Sequence, residues 1–365
     1  MAEVLHSSYA GCCHDYSTYD EWSQQMKKIA LVIGITGQDG SYLAEHLLIN
    51  GYDVHGMVRR SSLYNRSRID ALRGGQKVGD SPELHYGELS DITSFRRLLR
   101  KIRPDEVYHL AGQSHVGLSF EIPEVTCQDN AMGALGIIEA LRDWGAPVRL
   151  YHASTSEIFG APEISPQNEG TPMRPINPYG CAKAFATQLC KVYREAYGMY
   201  ICNGIAYNHE SPRRGENFVT RKIAMAAARF ARGERSVLRL GDLDARRDWG
   251  YAAEYIVAMW RSLQEPASGD YILATGQTSS VREFAVSAFS AIDIELVFEG
   301  RGIDEVGRCR KSGALVIEID PRYYRLSDSS SLVGDPSYVH RVLGWKARTS
   351  GIEVARLMTR AECGL

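Results

Sequence analysis

Four residues in the middle of the chain have the types and spacing to move protons. Tyr179 and Lys183 stand four apart in the segment NPYGCAK. On a helix that spacing puts both side chains on one face. A lysine ammonium beside a phenol favours the phenolate and lowers the tyrosine pKa from about 10 toward the working range. Such a tyrosine can take a proton from an alcohol while hydride leaves for a nicotinamide ring. The pair by itself also arises by chance in many helices, so its meaning depends on following the fifth strand of a dinucleotide fold. Just upstream runs Ser154-Thr155-Ser156-Glu157. The hydroxyl of Thr155 can hydrogen-bond a reacting oxygen. Glu157 is the one carboxylate of that segment, set among Ile158, Phe159 and Gly160, where desolvation would raise its pKa toward a value suited to general acid and base work. A strand-end acid facing solvent is the alternative reading.

A second constellation lies near the start of the chain: Gly34-Ile35-Thr36-Gly37-Gln38-Asp39-Gly40 follows an apolar run and precedes a helical pattern. Glycines at Gly34, Gly37 and Gly40 let the backbone turn tightly at a helix N-terminus, where a pyrophosphate is accommodated. The spacing alone would also suit a plain structural turn; its place between the first strand and first helix favours phosphate binding. At the end of the second strand, where an acid would hold a ribose 2′-hydroxyl, the chain reads Val58-Arg59-Arg60-Ser61-Ser62. Two guanidinium groups there suit a 2′-phosphate, so the expected cofactor is NADP. A solvated basic turn is the competing explanation.

The elements that must position these groups follow from periodicity. Strand-like runs at Ile29–Ile33, Asp53–Val58, Leu84–Tyr86, Glu106–Leu110 and Val148–Ala153 alternate with helical stretches at Ser41–Asn50, Phe95–Lys101, Ala131–Asp143 and Ala182–Tyr197. Alternation of this kind predicts an α/β, Rossmann-type doubly wound parallel sheet with helices on both faces. Residues 1–27 read as an N-terminal extension, 28–207 as the NADP-binding domain with the catalytic residues, and 208–365 mainly as a smaller mixed α/β substrate lobe interleaved with the last part of the sheet.

With 365 residues, 44% of them hydrophobic, the chain can bury a large core. A formal net charge of -2 gives no general attraction to nucleic acid or anionic membrane, so neither is an expected partner. No apolar run is long enough to span a bilayer and the first residues lack a hydrophobic signal core, so a cytoplasmic location is expected. The eight cysteines, at 12, 13, 127, 181, 190, 202, 309 and 363, lack zinc-site or disulfide-framework spacing. Free thiols and no metal are therefore expected.

Taken together, GITGQDGSYLAEHLL, YHLAGQSHVGLSFE, ASTSEIFG, NPYGCAK, NHESPRRGENFVTRK and RRDWG resemble the GDP-mannose 4,6-dehydratase family of extended short-chain dehydrogenases/reductases, over about residues 28 to 348. The resemblance implies a lyase that oxidises a nucleotide sugar at C4, eliminates water across C5 and C6, and returns hydride to C6. It implies Tyr179 as base at the C4 hydroxyl, Lys183 as its partner and nicotinamide-ribose ligand, Thr155 at the C4 oxygen and Glu157 as the C5 base. The cofactor would meet Gly34, Thr36, Gly37, Gln38, Asp39, Gly40, Arg59, Arg60, Glu88, Leu89, Leu110, Ala111, Gln113, Ser114, His209 and Arg214. Ser114, Glu157, Asn208, Lys222, Arg247 and Arg325 would face GDP-mannose or a similar nucleotide sugar. Arg213, Arg221 and Arg246 add positive charge near its diphosphate. A homodimer formed by helices near Ala131–Asp143 and Ala182–Tyr197, pairing into a tetramer through the basic loop Arg59–Arg68, is also implied. Dehydration of another nucleotide sugar such as GDP-manno-heptose, or a related nucleotide-sugar reductase or epimerase, are the alternatives. Three departures from the family pattern stand out: Glu88 for aspartate, Gly112 for alanine, and Tyr323-Tyr324-Arg325-Leu326-Ser327-Asp328 for a Tyr-Phe-Arg-Pro segment.

Overall fold

A computed structural model describes residues 27–62, 64–70, 72, 81–323 and 332–365. Its main sheet is built from β1 (Ile29–Ile33), β2 (Asp53–Val58), β3 (Glu83–Tyr86), β4 (Glu106–His109), β5 (Arg149–Thr155) and β6 (Ile201–Ala206), with a seventh strand at Asp270–Leu273. The order, from that seventh strand, is β6, β5, β4, β1, β2, β3, and every pairing is parallel. Strands such as IALVI and ICNGIA are nearly continuous apolar runs because helices cover both faces. The order reverses between β1 and β4, and the carboxyl ends of strands at such a switch point form a crevice that takes ligands.

Most elements lie where periodicity places them; strand bounds differ by one or two residues, β5 running Arg149–Thr155 rather than Val148–Ala153, and the larger differences concern helix starts. The helix after β1 spans Gln38–Ile49, three residues earlier than expected, because Gly40 and Ser41 pack into the strand–helix turn and are buried. Two short helices, Val116–Glu121 and Pro123–Cys127, occupy a stretch without clear periodicity. The second continues through a π-helical turn, Gln128–Met132, into Gly133–Trp144, with αR backbone at each junction. A π turn inserts a residue into the helical count, which hides the pattern before Ala131. The catalytic helix runs Pro178–Tyr197. Asn177 caps it, Pro178 occupies its first turn, and Gly198 at φ 65° ends it.

After β6 the chain forms two ribbons and a smaller sheet. β7 (Asn208–Glu210) pairs in parallel with β10 (Trp249–Tyr251), and β9 (Arg246–Arg247) pairs antiparallel with β12 (Ser279–Ser280). The small sheet has the order β13 (Leu296–Glu299), β14 (Val306–Cys309), β15 (Leu315–Ile319), β8 (Leu238–Leu240). Helices Val219–Ala231, Val281–Ser290 and Gly351–Cys363 pack a second core there around Ile223, Phe284, Phe289 and Met358. The Asp270–Leu273 strand, β11 in chain order, returns to the main sheet, and Val339, Leu343 and Trp345 return to its core. No helix among the described residues is long and apolar enough to cross a membrane.

Candidate active site

The phosphate loop is shaped by what a side chain would strike. Gly34 has φ 91°, in the left-handed region, and a Cβ there would lie 2.8 Å from the backbone nitrogen of Ala111 at the end of β4. A Cβ on Gly40 would lie 2.2 Å from the Gly34 carbonyl oxygen. The first helix can therefore approach β1 only with glycine at that position. The Gly37 N–H donates to Gly34 O over 3.0 Å, closing the turn at the helix start.

Side chains of the first helical turn reach across to the second half of the chain. His209 Nδ1 lies 2.7 Å from Tyr207 O and its Nε2 lies 2.9 Å from Asp39 Oδ2. Both neighbours are acceptors, so both ring nitrogens carry protons and His209 is an imidazolium. Burial pushes the Asp39 carboxyl up, but the charge and hydrogen bond of His209 outweigh it and hold Asp39 below its usual range. Burial depresses His209 in turn, yet Asp39 and the Tyr207 carbonyl raise it overall. Gln38 donates to His209 O over 3.0 Å and accepts from Ser211 Oγ over 2.8 Å.

Thr155 ends β5, and Glu157 follows in a single 3₁₀ turn whose N–H bonds back to Thr155 Oγ1 over 3.3 Å. Glu157 is half-buried and accepts a 2.8 Å bond from Asn177 Nδ2. The Asn177 Oδ1 meanwhile accepts from Gly180 N over 2.7 Å as the cap of the catalytic helix. Asn177 joins the carboxylate to the helix that carries Tyr179 and Lys183, a role that was not assigned from sequence. The signal was present: an asparagine directly before a proline at a helix start is a cap.

The phenol of Tyr179 departs from expectation. Burial pushes it up to about 12, the Thr155 hydrogen bond pulls it down, and the Glu157 charge pushes it up again. The lysine does not offset this, because Lys183 Nζ donates to Ala153 O over 2.9 Å and burial lowers its own pKa to about 8. Positive charge near the phenol comes instead from Arg214.

A cavity of about 920 Å³ at the strand ends is lined by Gly34, Gly37, Gln38, Asp39, Gly40, Leu110, Ala111, Ser114, Thr155, Glu157, Tyr179, Lys183, Asn208, His209, Arg214, Lys222 and Arg247. Thr36, Arg59, Arg60, Glu88, Leu89 and Gln113 are not in that lining. Arg59 and Arg60 are exposed at the end of β2, and the Gln113 amide is spent on His115 O and Thr126 Oγ1, each at 3.1 Å. Arg325 lies outside the described residues, as does residue Met1 through Met26 of the N-terminal extension.

Half of the basic set is committed elsewhere. Arg213 binds Glu45 and Ser41 and stacks over Tyr42, Arg221 pairs with Glu362 at 2.6 Å, and Arg246 pairs with Glu283 at 3.3 Å. Those three join helices and lobes, and none lines the cavity. Arg68 likewise turns inward, donating to Arg213 O and Thr36 O over 2.8 and 3.3 Å. Arg214 lies 3.0 Å from Glu210 and over the ring of Phe218. Asp248 of RRDWG pins the neighbouring loop by accepting from Thr275 N, Thr275 Oγ1 and Gly276 N over 2.6 to 3.0 Å, which fixes the strand bearing Arg247.

A model of the family described as GDP-mannose 4,6 dehydratase matches residues 31–358. The chain belongs to this family. It is 46% identical over 342 residues to the GDP-mannose 4,6 dehydratase of Drosophila melanogaster, covering 93% of this chain and 87% of that protein. It is 47% identical to the GDP-mannose 4,6-dehydratase of Sinorhizobium fredii, covering 92% and 97%. Among solved structures, RMD from Pseudomonas aeruginosa complexed with NADPH superposes with a TM-score of 0.70 at 22% identity, covering 93% of this chain and all of that one, a likeness of fold. Against the GDP-mannose 4,6-dehydratase pattern the Gly112 departure has a local counterpart. Gly112 has φ 152°, and a Cβ there would lie 2.3 Å from Asn130 Oδ1 in the π turn.

Proposed function

We propose that this protein dehydrates GDP-mannose to GDP-4-keto-6-deoxymannose with NADP as a recycled cofactor. The observation that carries this reading is Glu157. It is a half-buried carboxylate, aimed by Asn177, in the same cavity as Thr155, Tyr179 and Lys183. Reduction or epimerisation at C4 needs only the tyrosine and lysine; elimination across C5 and C6 also needs a base.

The residues fit a dinucleotide. Gly34, Gly37 and Gly40 leave a cradle that side chains would fill, at a helix N-terminus suited to a pyrophosphate. Arg59 and Arg60 would take 2′-phosphates, the loop's guanidinium groups being split between this chain's cofactor and a neighbouring subunit's, with Glu88 and Leu89 beside the adenine. Bound there, NADP supplies the acceptor and later the donor of hydride.

In this reading Lys183 turns from Ala153 O to hold the nicotinamide ribose, where its charge favours the phenolate that burial otherwise disfavours, and Tyr179 takes the proton of the C4 hydroxyl. Thr155 donates to the C4 oxygen. The resulting 4-ketone makes the C5 proton acidic. Glu157 removes it and delivers it to the C6 hydroxyl, which leaves as water. The proton held since the first step returns to C5, so sugar and enzyme end in balance. Asn208, Lys222 and Arg247, with Arg325, would bind the nucleotide sugar. Residues 28–207 would form the cofactor half and 208–365 the sugar-nucleotide half. Free thiols at Cys127, Cys181, Cys190, Cys202, Cys309 and Cys363 suit a reducing cytoplasm.

Incubation with GDP-mannose and NADP⁺ should give a product lighter by one water, by mass spectrometry, with no accumulation of NADPH. An unchanged sugar nucleotide would overturn the assignment, and a parallel panel of nucleotide sugars identifies the preferred hexose or heptose.

Assembly follows as a further proposal. Phe120, Val125, Met132, Phe185, Val192 and Tyr197 are exposed apolar side chains of the helices Val116–Glu121, Pro123–Cys127 and Pro178–Tyr197 and of the π turn Gln128–Met132, and covering them in a homodimer removes that area from water. With Arg68 committed to its own chain, Arg60 and Arg66 remain for a contact that pairs dimers into tetramers. Replacing both with alanine should shift tetramers toward dimers in light scattering; a wild type that is already monomeric rules the contact out.

A further inference from the structure

At the outer edge of the main sheet, β2 and β3 run parallel with His55 opposite Glu83 and Met57 opposite His85. Alternation along each strand puts His55, Glu83 and His85 on one face. His55 Nδ1 lies 2.9 Å from His85 Nε2 and 3.7 Å from Glu83 Oε2, and His85 Nε2 lies 3.6 Å from Glu83 Oε1. Ligands about 2.0–2.1 Å from a tetrahedral zinc ion are about 3.3–3.4 Å apart. The two nitrogens need to part by about half an ångström and one oxygen of the exposed Glu83 carboxylate needs to turn toward both; one ligand atom from each of the three residues already lies within 4.8 Å of the others. Both imidazoles are buried, whereas the Glu83 side chain is 55% exposed, leaving one side open to water.

We propose that His55, His85 and Glu83 form a site for one divalent transition-metal ion of the zinc, cobalt or nickel kind, separate from the catalytic cavity. Two imidazoles and a carboxylate are the donors that such ions take. The surroundings match the role of each group. Asp53 Oδ2 lies 3.5 Å from the far nitrogen of His55, and a carboxylate there orients the ring and raises its basicity toward a metal on Nδ1. Lys101 Nζ is 3.0 Å from Glu83 Oε1 and competes with the ion for this carboxylate. None of the three ligands lines the catalytic cavity. The ion would clamp the edge strand β3 to β2 and take no part in turnover. Cysteine spacing gives no sign of such a site, because its ligands come from two strands brought together by the sheet.

The full-length protein, freed of metal by chelation and dialysis, should bind one equivalent of Co²⁺ with visible absorption bands of a four- or five-coordinate ion. Zn²⁺ should displace that signal and raise the melting temperature. Glu83→Ala, at an exposed position where folding is not at risk, should weaken Co²⁺ binding by about tenfold or more, and Asp53→Asn by about 10- to 100-fold. Lys101→Ala should strengthen it. Turnover of GDP-mannose should be the same with and without Zn²⁺ in wild type and in Glu83→Ala. Absence of stoichiometric binding in the wild type, or binding unaltered by Glu83→Ala and Lys101→Ala, would show that the two histidines are only a hydrogen-bonded pair.

Discussion

The side-chain amide of Asn177 spans two parts of the site, donating to Glu157 Oε2 over 2.8 Å while its oxygen caps the helix of Tyr179 at Gly180 N over 2.7 Å. The carboxylate and the phenol are thus set by one side chain. Asn177→Ser keeps a capping oxygen but cannot reach Glu157. It should fold with near-normal stability and lose about 10²-fold in kcat, the cost of misplacing a reacting group. Asn177→Ala should lose the cap as well, worth about 1 kcal/mol, visible as a lower melting temperature. Equal kcat for wild type and Asn177→Ser would separate Asn177 from the chemistry.

Glu157→Gln tests which reaction the cavity runs. Loss of a proton-transferring group costs about 10² to 10⁴ in rate, and the loss should fall on dehydration alone. With the oxidation step intact, a single turnover of this variant should leave reduced cofactor visible by absorbance. Nearly wild-type turnover would point to a reductase or epimerase.

The Asp39–His209 pair predicts a pH dependence of stability. His209 is raised from 6.5 and Asp39 lowered from 3.8. The histidine contribution is full below 6.5 and is lost as pH rises through its raised folded value. The aspartate contribution is full above 3.8 and is lost as pH falls through its lowered folded value. Stabilisation by the pair is therefore greatest between these two reference values. The melting-temperature gap between wild type and His209→Asn should narrow as pH rises above 6.5 through the raised value of the folded histidine. A constant gap over that range would mean that His209 stays in one protonation state.

Arg59→Ala should weaken NADP binding far more than NAD binding, since only NADP loses a charge-assisted phosphate contact. Titration of both cofactors checks this; an equal effect would make the arginine a solvated turn residue.

Gly112→Ala restores the family residue yet should harm this protein. Its Cβ would meet Asn130 Oδ1 at 2.3 Å with φ at 152°, so cofactor affinity and melting temperature should both fall. Pairing it with Asn130→Ala should recover part of the loss, and no recovery would leave backbone strain as the cause.

The sheet was legible because its strands are buried on both faces and read as short apolar runs, as IALVI does. The phosphate loop was legible because backbone crowding at Gly34 and Gly40 admits one residue type. Charge was less legible. Arg213, Arg221 and Arg246 look like ligands for a diphosphate in sequence, but each has an acid brought to it from a distant segment. Local pattern cannot show such pairings. The phenol of Tyr179 was misjudged for a related reason: helical spacing shows that Lys183 shares its face, not that the ammonium turns to the carbonyl of Ala153.

The strand Asp270–Leu273 joins the main sheet beside β6, pairing Asp270 with Asn203 through Leu273 with Ala206. A fragment ending near residue 207 would expose the backbone donors and acceptors of β6 along an apolar edge, a template for intermolecular pairing. Residues 28–207 are therefore not a separable module. During synthesis the sheet stays one strand short until the chain has emerged through Leu273, so products truncated before that strand should aggregate rather than persist as a smaller dinucleotide-binding protein.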